Sequence, residues 1–419
     1  MDTNVMAMIN ASKPVNGTGV CQRVPTGQRV RLCEISRIVS KAVALAKYLD
    51  LRDIPRENPQ LAASQVVLLC RNTDQSVQIG WPQVWSRLED LLRIHFLRTQ
   101  SPSSTELQDI LVCAAVCALQ TSFYSSTPVQ EFSRKAAACE SFLPVLAEIQ
   151  LMLAKLNHRF LPEVCSLVVS TDHENRTEEE CSALIGKHRL YDFNEICVNL
   201  LHATSLEPES PPTVHSVYEF TGALRFFHHC YPVRHDMGHI MRHLLPAAIN
   251  AINAIDIDRI GAWDPLDTDQ AVIALQLSCR ALQLCKGYGY EPIAIWLDYE
   301  IFPSLISVLR GLSALSNPLC NGWLKTLNKA ITPLVFKTAC FLTYRTVNSR
   351  MLKQLRALHD AGISDDGESG VVRTFLGLEV RAQKISLLLS EFDRLCNTLF
   401  CSSTKASLCS QCVLITLTQ

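Results

Sequence analysis

The sequence predicts an all-α protein, arranged as an irregular array of helices, of which an armadillo- or HEAT-like solenoid is one form. Hydrophobic residues recur at intervals of three and four along most of the chain, and this spacing places them on one face of a helix. Strand signals are weak, because apolar runs such as Val168-Val169 are short and hairpin dipeptides are scarce. Helices joined by short polar loops suit an array in which each helix pair covers the apolar face of the next.

The first two predicted helices follow an N-terminal segment that has no hydrophobic period. Residues 32–50 place Leu32, Ile35 and Ile38 on one stripe, which continues through further apolar residues. The second helix covers 60–71. Both stripes require a covering surface, so they are expected to pack against the helices that follow.

The next two predicted helices have recognisable start signals. Residues 82–98 begin with Pro82, which suits a first turn because a proline there removes an N–H that would have no helical partner. Residues 104–120 follow a cluster of hydroxyl side chains that includes Ser103, and such side chains cap the free N–H groups of a first turn.

The later helices are predicted from the same three- and four-residue spacing. They cover 129–139, 142–155, 177–185, 192–203, 214–229, 235–255, 267–286, 293–313, 320–345, 347–360 and 371–395. Well over half of the chain is therefore predicted to be helical, far above the share in an average globular protein.

The best internal boundary is a segment rich in proline and glutamate, Leu206-Glu-Pro-Glu-Ser-Pro-Pro-Thr213, which predicts a stiff, solvated linker. We therefore predict four parts. They are a disordered N-terminus at 1–28, a helical domain or first half of the array at 29–205, a second helical half at 214–395, and a partial zinc knuckle with its tail at 396–419.

Composition restricts the class of partner. The chain has 419 residues with 39 basic and 40 acidic side chains, so its formal net charge is −1 and no strong field favours nucleic acid or an anionic membrane. No long apolar run predicts a membrane span, and the N-terminus lacks the basic start and apolar stretch of a signal peptide. We therefore expect an intracellular protein, in the cytoplasm or nucleus.

Eighteen cysteines are present, and most are scattered along apolar helical segments. In a reducing compartment such cysteines behave as small hydrophobic residues rather than as disulfide partners. We predict that the thiols of Cys113, Cys117, Cys279 and Cys340 are buried and unreactive.

The last 24 residues carry four cysteines with the spacing Cys396-x4-Cys401-x7-Cys409-x2-Cys412. A Cys-x2-Cys pair on a tight loop can present two thiolates to one tetrahedral zinc ion. The flanking residues Ser402, Ser403, Thr404, Lys405 and Ser410 are polar and turn-prone, as in a zinc knuckle. The alternative is a frayed tail whose thiols have no joint function.

This segment resembles the first half of a MYND-type zinc finger, as found in fungal proteins with a helical N-terminal region. Such fingers often open with Cys-Asn-x3-Cys and continue with Cys-x2-Cys, the pattern formed here by Cys396, Cys401, Cys409 and Cys412. The segment Gly80-Trp81-Pro-Gln-Val-Trp85 is similar to a Trp-Pro segment in the same family. The resemblance implies a protein-interaction module.

The segment also departs from the family pattern. A complete finger continues with an aromatic-Cys-x3-Cys segment and a His-x3-Cys end, and it holds two zinc ions with interleaved ligand pairs. Here Cys412 is followed by residues 413–419, which contain no ligand. Two interpretations remain: the four thiolates form a single site for at most one zinc ion, or the segment is a non-functional remnant.

Histidines concentrate between residues 228 and 243. If 235–255 is one helix, His235, His239 and His243 lie on one face at four-residue intervals, which is a spacing that can chelate zinc or copper. Arg234 and Arg242 flank them, however, and a mixed histidine and arginine face is typical of a solvated helix surface. We therefore interpret this face as solvent-exposed.

These observations favour a non-enzymatic helical scaffold that mediates protein–protein interaction and carries a partial MYND-like zinc-binding element. Its expected partner is another protein or a peptide, with neither nucleic acid nor a membrane as a primary partner. Two alternatives stay open. One is a degenerate family copy without metal function, and the other, less favoured, is an enzyme with an unrecognised helical active site.

Overall fold

A computed structural model describes residues 58–71, 81–97, 105–120, 138–169, 186–187, 190–208, 210–230, 238–256, 260, 263–284, 289–315, 319–363 and 370–399. Of these residues 84% are helical, and no strand occurs among them. The predicted all-α class is confirmed. The solenoid stays a prediction.

The chain divides into two compact units, the first comprising residues 1–205 and 213–240. Its described helices are α1 (Pro59–Arg71), α2 (Trp81–Leu92), α3 (Thr105–Gln120), α4 (Phe142–Lys155), α5 (Leu161–Val169), α6 (Leu190–Thr204) and α7 (Val214–Cys230). A π-helical turn at Arg93–Leu97 continues α2.

Packing in the first unit joins α1 to α3, α4 to α6, and α5 to α7. The core is largely aliphatic and also contains four fully buried phenylalanines, Phe142, Phe160, Phe193 and Phe226. The rings of Phe193 on α6 and Phe226 on α7 lie 6.2 Å apart, so these two helices are held by ring contact as well as by aliphatic packing.

The second unit comprises residues 206–212 and 241–419. Its helices are α8 (Gly238–Ala254, which begins just before the boundary), α9 (Pro265–Leu284), α10 (Glu291–Asp298), α11 (Ile301–Ala314), α12 (Cys320–Cys340), α13 (Arg345–Asp360), α14 (Gly370–Leu376) and α15 (Leu378–Leu399). In this unit α9 packs on α12, and α13 packs on both α10 and α15.

The predicted linker does not separate the two units in sequence, because residues 206–212 belong to the second unit and residues 213–240 to the first. Helix α7 packs on α5 and α6 and therefore belongs to the first unit, although we predicted that the second half starts at 214. An apolar helix following a polar linker can return to the preceding core, since helix packing depends on complementary faces rather than on chain order.

One predicted helix, 293–313, is instead two helices, α10 and α11, whose axes differ by 56°. Glu300 between them adopts a left-handed backbone conformation, with φ 55° and ψ 36°. Pro303 explains the break, because it has no N–H to donate to the carbonyl of Tyr299 four residues earlier.

Two other helices differ from the predictions. The predicted helix 371–395 is divided at Gly377 into α14 and α15, and α15 continues to Leu399. Helix α5 was not predicted, because nine residues are too few to show a clear helical period. Pro162 near its start and Glu163 in its first turn are the signals that could have identified it.

The other predicted helices that fall on described residues are confirmed to within five residues at either end. The predictions for 1–28, 32–50, 129–137 and 177–185 lie outside the described residues. No single described helix has the length and apolar composition of a membrane span; α10 and α11 reach that composition only as a pair, across their bend.

Candidate functional site

Of the four terminal cysteines, the described residues include Cys396 alone. The backbone of Cys396 is part of helix α15, which ends at Leu399. Cys401, Cys409 and Cys412 lie outside the described residues. The first cysteine of the cluster therefore continues a helix, and the proposed zinc site stays a prediction.

The histidine segment is split between two helices. His228 and His229 lie at the end of α7, whereas α8 begins at Gly238 and carries His239 and His243. His235 lies outside the described residues. Across the described ranges, no group of three or more histidine, cysteine, aspartate or glutamate side chains is placed to hold a metal ion.

Two of the four thiols predicted to be buried are confirmed, and one prediction is wrong. Cys113 and Cys279 are fully buried, and burial raises the pKa of the Cys279 thiol to about 12. Cys340 is exposed, because the last turn of α12 buries Thr338 and Ala339 and directs position 340 to solvent. The side chain of Cys117 lies outside the description.

A cluster of polar side chains joins the start of α4 to α2 in the first unit through hydrogen bonds and ion pairs. The Trp85 indole donates from Nε1 to Ser141 Oγ at 3.1 Å, and the Ser141 hydroxyl donates to Glu89. Arg93 Nε lies 2.8 Å from Glu89 Oε1, and a terminal nitrogen of the same guanidinium lies 3.5 Å from Glu148. The Ser141 hydroxyl accepts one hydrogen bond and donates another, so this arrangement positions helices rather than activates a nucleophile.

The same cluster accounts for the second tryptophan of the Trp-Pro segment. Trp85 is buried, and its ring meets Phe142 edge-on with centroids 4.7 Å apart. Nearby, burial and then the Glu89 charge raise the pKa of the Cys139 thiol. We therefore assign this part of the segment a packing role.

Helix α15 has two apolar faces. Leu378, Ala382 and Leu389 are buried on the side that packs against α13. Val380 and Leu387 lie on the opposite side, since residues on a helix are offset by about 100° each. They are 58% and 66% exposed, and Leu388 beside them is 44% exposed. We call Val380, Leu387 and Leu388 the α15 stripe.

The α15 stripe was not predicted, although the sequence contains a signal for it. The segment 378–389 has apolar residues on more than one side of the helix, which indicates either full burial or a second partner. Periodicity alone does not say which apolar side the fold covers.

No protein-family model, no curated protein and no solved structure matches this chain.

Proposed function

We propose that this protein is a non-enzymatic helical scaffold that binds another protein or a peptide, with the terminal cysteines forming a zinc-binding element for at most one ion. The α15 stripe is the observation that carries the proposal. It lies on the helix whose last turn holds Cys396, so the exposed apolar side chains and the first cysteine of the cluster share one element.

The physical argument concerns water-exposed apolar area. Covering a leucine side chain contributes about 1.5–3 kcal/mol relative to leaving it in water. Two leucines and a valine grouped on one helix are typical of a helix-in-groove contact, in which side chains at seven- and eight-residue intervals enter one partner surface. The resemblance to MYND-type fingers, which are protein-interaction modules in their family, supports the same function.

The test places a photo-cross-linking amino acid at Lys384, which is exposed and lies beside the α15 stripe. Irradiation of the full chain in its cells of origin should yield a discrete adduct with another protein. Leu387→Lys should abolish that adduct, because a charge on the stripe cannot enter an apolar groove. Ser386→Lys is the matched control and should leave it unchanged.

Two results contradict the proposal. One is the absence of any adduct from Lys384 in a chain that is folded by circular dichroism. The other is an adduct that survives Leu387→Lys, since a contact that tolerates a charge at the centre of the stripe does not use it.

A further inference from the structure

Helix α12 has a continuous solvent face along its whole length. The opposite face is buried against α9, α11 and α14 through residues that include Trp323, Leu327 and Leu334. The residues of the solvent face are spaced by three and four positions, as on one side of a helix, and they are Gly322, Lys325, Lys329, Pro333, Phe336 and Cys340. We call these six residues the α12 face.

The N-terminal half of the α12 face is cationic. Lys325 and Lys329 are exposed, lie one turn apart, and form no ion pair with any described residue. They belong to a wider asymmetry, because residues 301–359 contain eight arginine and lysine residues and not one aspartate or glutamate. The chain as a whole has a net charge of −1, so the composition of the whole chain does not reveal the positive charge of this segment.

Two of the positive charges in this segment pair with carboxylates that precede it. Arg350 Nε lies 2.7 Å from Asp298 Oδ1, and Lys353 Nζ lies 3.9 Å from Glu300 Oε1. The carboxylates just before residue 301 thus pair with α13, and the lysines of the α12 face receive none of them.

The C-terminal half of the α12 face is apolar. Phe336 is 59% exposed, and Pro333 and Cys340 beside it are exposed as well. Phe336 follows Lys329 by seven residues, which is about 10 Å along a helix axis. At the other end, a Cβ added to Gly322 would meet no atom within 4 Å, so a partner backbone can approach closely there.

We infer that the α12 face binds an acidic protein segment, with carboxylates over Lys325 and Lys329 and an apolar side chain against Phe336 and Pro333. The inference rests on the proposed function, since it names a second contact surface and its partner chemistry. Opposite charge sets the position of the segment along the helix, and burial of the phenylalanine ring holds it.

The order of residues on the α12 face favours a protein over a membrane. A helix that lies in a bilayer surface has apolar side chains along its whole centre line, with cationic side chains at the flanks. Here the centre line itself changes from lysine to phenylalanine along the axis. Nucleic acid is also disfavoured, because two lysines make few phosphate contacts.

The test measures fluorescence anisotropy of labelled probe peptides with the full chain. Each probe is a helical peptide of about 18 residues. It has two glutamates one turn apart and a leucine two turns beyond them, in either chain direction, with alanine and glutamine elsewhere. A matched probe carries lysines in place of the glutamates. We expect the acidic probe to bind and the basic probe not to bind.

The variants locate the contact. The double variant Lys325→Glu/Lys329→Glu should weaken binding about tenfold or more, because like charges then face each other. Phe336→Ser should weaken binding severalfold while leaving its salt dependence unchanged. The control Arg381→Glu/Lys384→Glu changes exposed residues of α15 by the same formal charge and should have little effect.

Several outcomes would overturn the inference. One is that the acidic probe does not bind the wild-type chain. Another is that both double variants lose the same amount of affinity for the acidic probe, which would indicate unspecific electrostatic attraction. Lysine-dependent binding to phosphatidylserine vesicles without peptide binding would assign the α12 face to a membrane instead.

A second measurement separates this inference from the proposed function. A photo-cross-linking amino acid is placed at Cys340 in one variant of the chain and at Lys384 in a second variant. Adducts from Lys384 but not from Cys340 would support the proposed scaffold function and contradict the inference that the α12 face is a contact surface. Adducts from neither position would contradict both.

Discussion

The side-chain amide of Asn253 donates from Nδ2 to the main-chain carbonyl of Tyr299 at 3.0 Å, across 46 residues of chain. Pro303 cannot donate a hydrogen bond to this carbonyl, because proline has no N–H. Ser304 Oγ completes the arrangement by donating to Asn253 Oδ1 at 2.8 Å. A side chain from α8 therefore stabilises the break between α10 and α11.

Replacing Asn253 by alanine should destabilise the second unit by about 1 kcal/mol, since the Tyr299 carbonyl loses its side-chain donor and the Ser304 hydroxyl keeps only the more distant Glu300 carbonyl, at 3.4 Å. Urea unfolding of the full chain measures this change. Ser313→Ala on α11 removes a hydrogen bond to the helix's own backbone and is the control, with little expected effect. Equal losses for both variants would contradict the assigned role of Asn253.

Native alkylation should label Cys340 rapidly and spare Cys113, Cys165 and Cys279. The three spared thiols are fully buried, and burial raises the pKa of Cys165 and Cys279 so that neither forms the reactive thiolate. Mass spectrometry of peptides from briefly labelled protein gives the result. Labelling of Cys279 at the rate of Cys340 would show that α9 is not in the core.

Stability of the first unit should depend on pH through His158. Its pKa lies below 6.5 because the ring is desolvated by burial; the carboxylate of Asp109 opposes this shift, and the charge of Arg159 adds to it. The geometry agrees: the Phe160 N–H donates to Nδ1 at 3.2 Å, so the neutral ring uses Nε2–H toward Asp109 Oδ1 at 3.3 Å.

A depressed histidine pKa means that the unfolded chain binds the proton more readily than the folded chain does. The contribution of neutral His158 is therefore complete above pH 6.5 and is lost as the pH falls from there toward the lowered folded pKa. His158→Asn cannot titrate, so the difference in unfolding free energy between wild type and variant should shrink on acidification. A difference that is constant from pH 5 to 8 would contradict this account.

The terminal cysteines should bind at most one zinc ion per chain. Four thiolates complete one tetrahedral site, whereas the resembled finger needs further ligands to hold two. Metal analysis of the full chain purified with zinc should give a ratio of one or less. Cys409→Ser or Cys412→Ser should abolish binding, while Cys340→Ser, an exposed thiol elsewhere, should not. Two tightly bound ions per chain would refute the single site.

The zinc prediction and the two surface proposals have different sources. Cysteine spacing is a local signal, so Cys396, Cys401, Cys409 and Cys412 could be named from the sequence. The α15 stripe and the α12 face could not, because both are helix sides that the fold leaves uncovered. The segment 301–359, which has no aspartate or glutamate, could have been recognised in the sequence. It was not predicted, because the net charge of the whole chain does not show a local excess of positive charge.

Cys340 shows the same limit within one helix. Its neighbours Pro333 and Phe336 form an apolar side of α12, and such a side is normally assigned to the core. The structure buries another side, which carries Trp323 and Leu327 and packs on α9 and α11. A helix with two apolar sides needs a tertiary partner to decide between them.

The sequence by itself determined the all-α class and most helix bounds, because a 3.6-residue period and end signals act within a few residues of each other. The break at Glu300 has a local cause in Pro303, and the distant Asn253 supplies the donor that the Tyr299 carbonyl lacks. Only the tertiary structure decided the return of α7 to the first unit and the exposure of Phe336, because these depend on the faces of α5 and α9, which are far away in the chain. Local periodicity carries no information about which distant surface a helix meets.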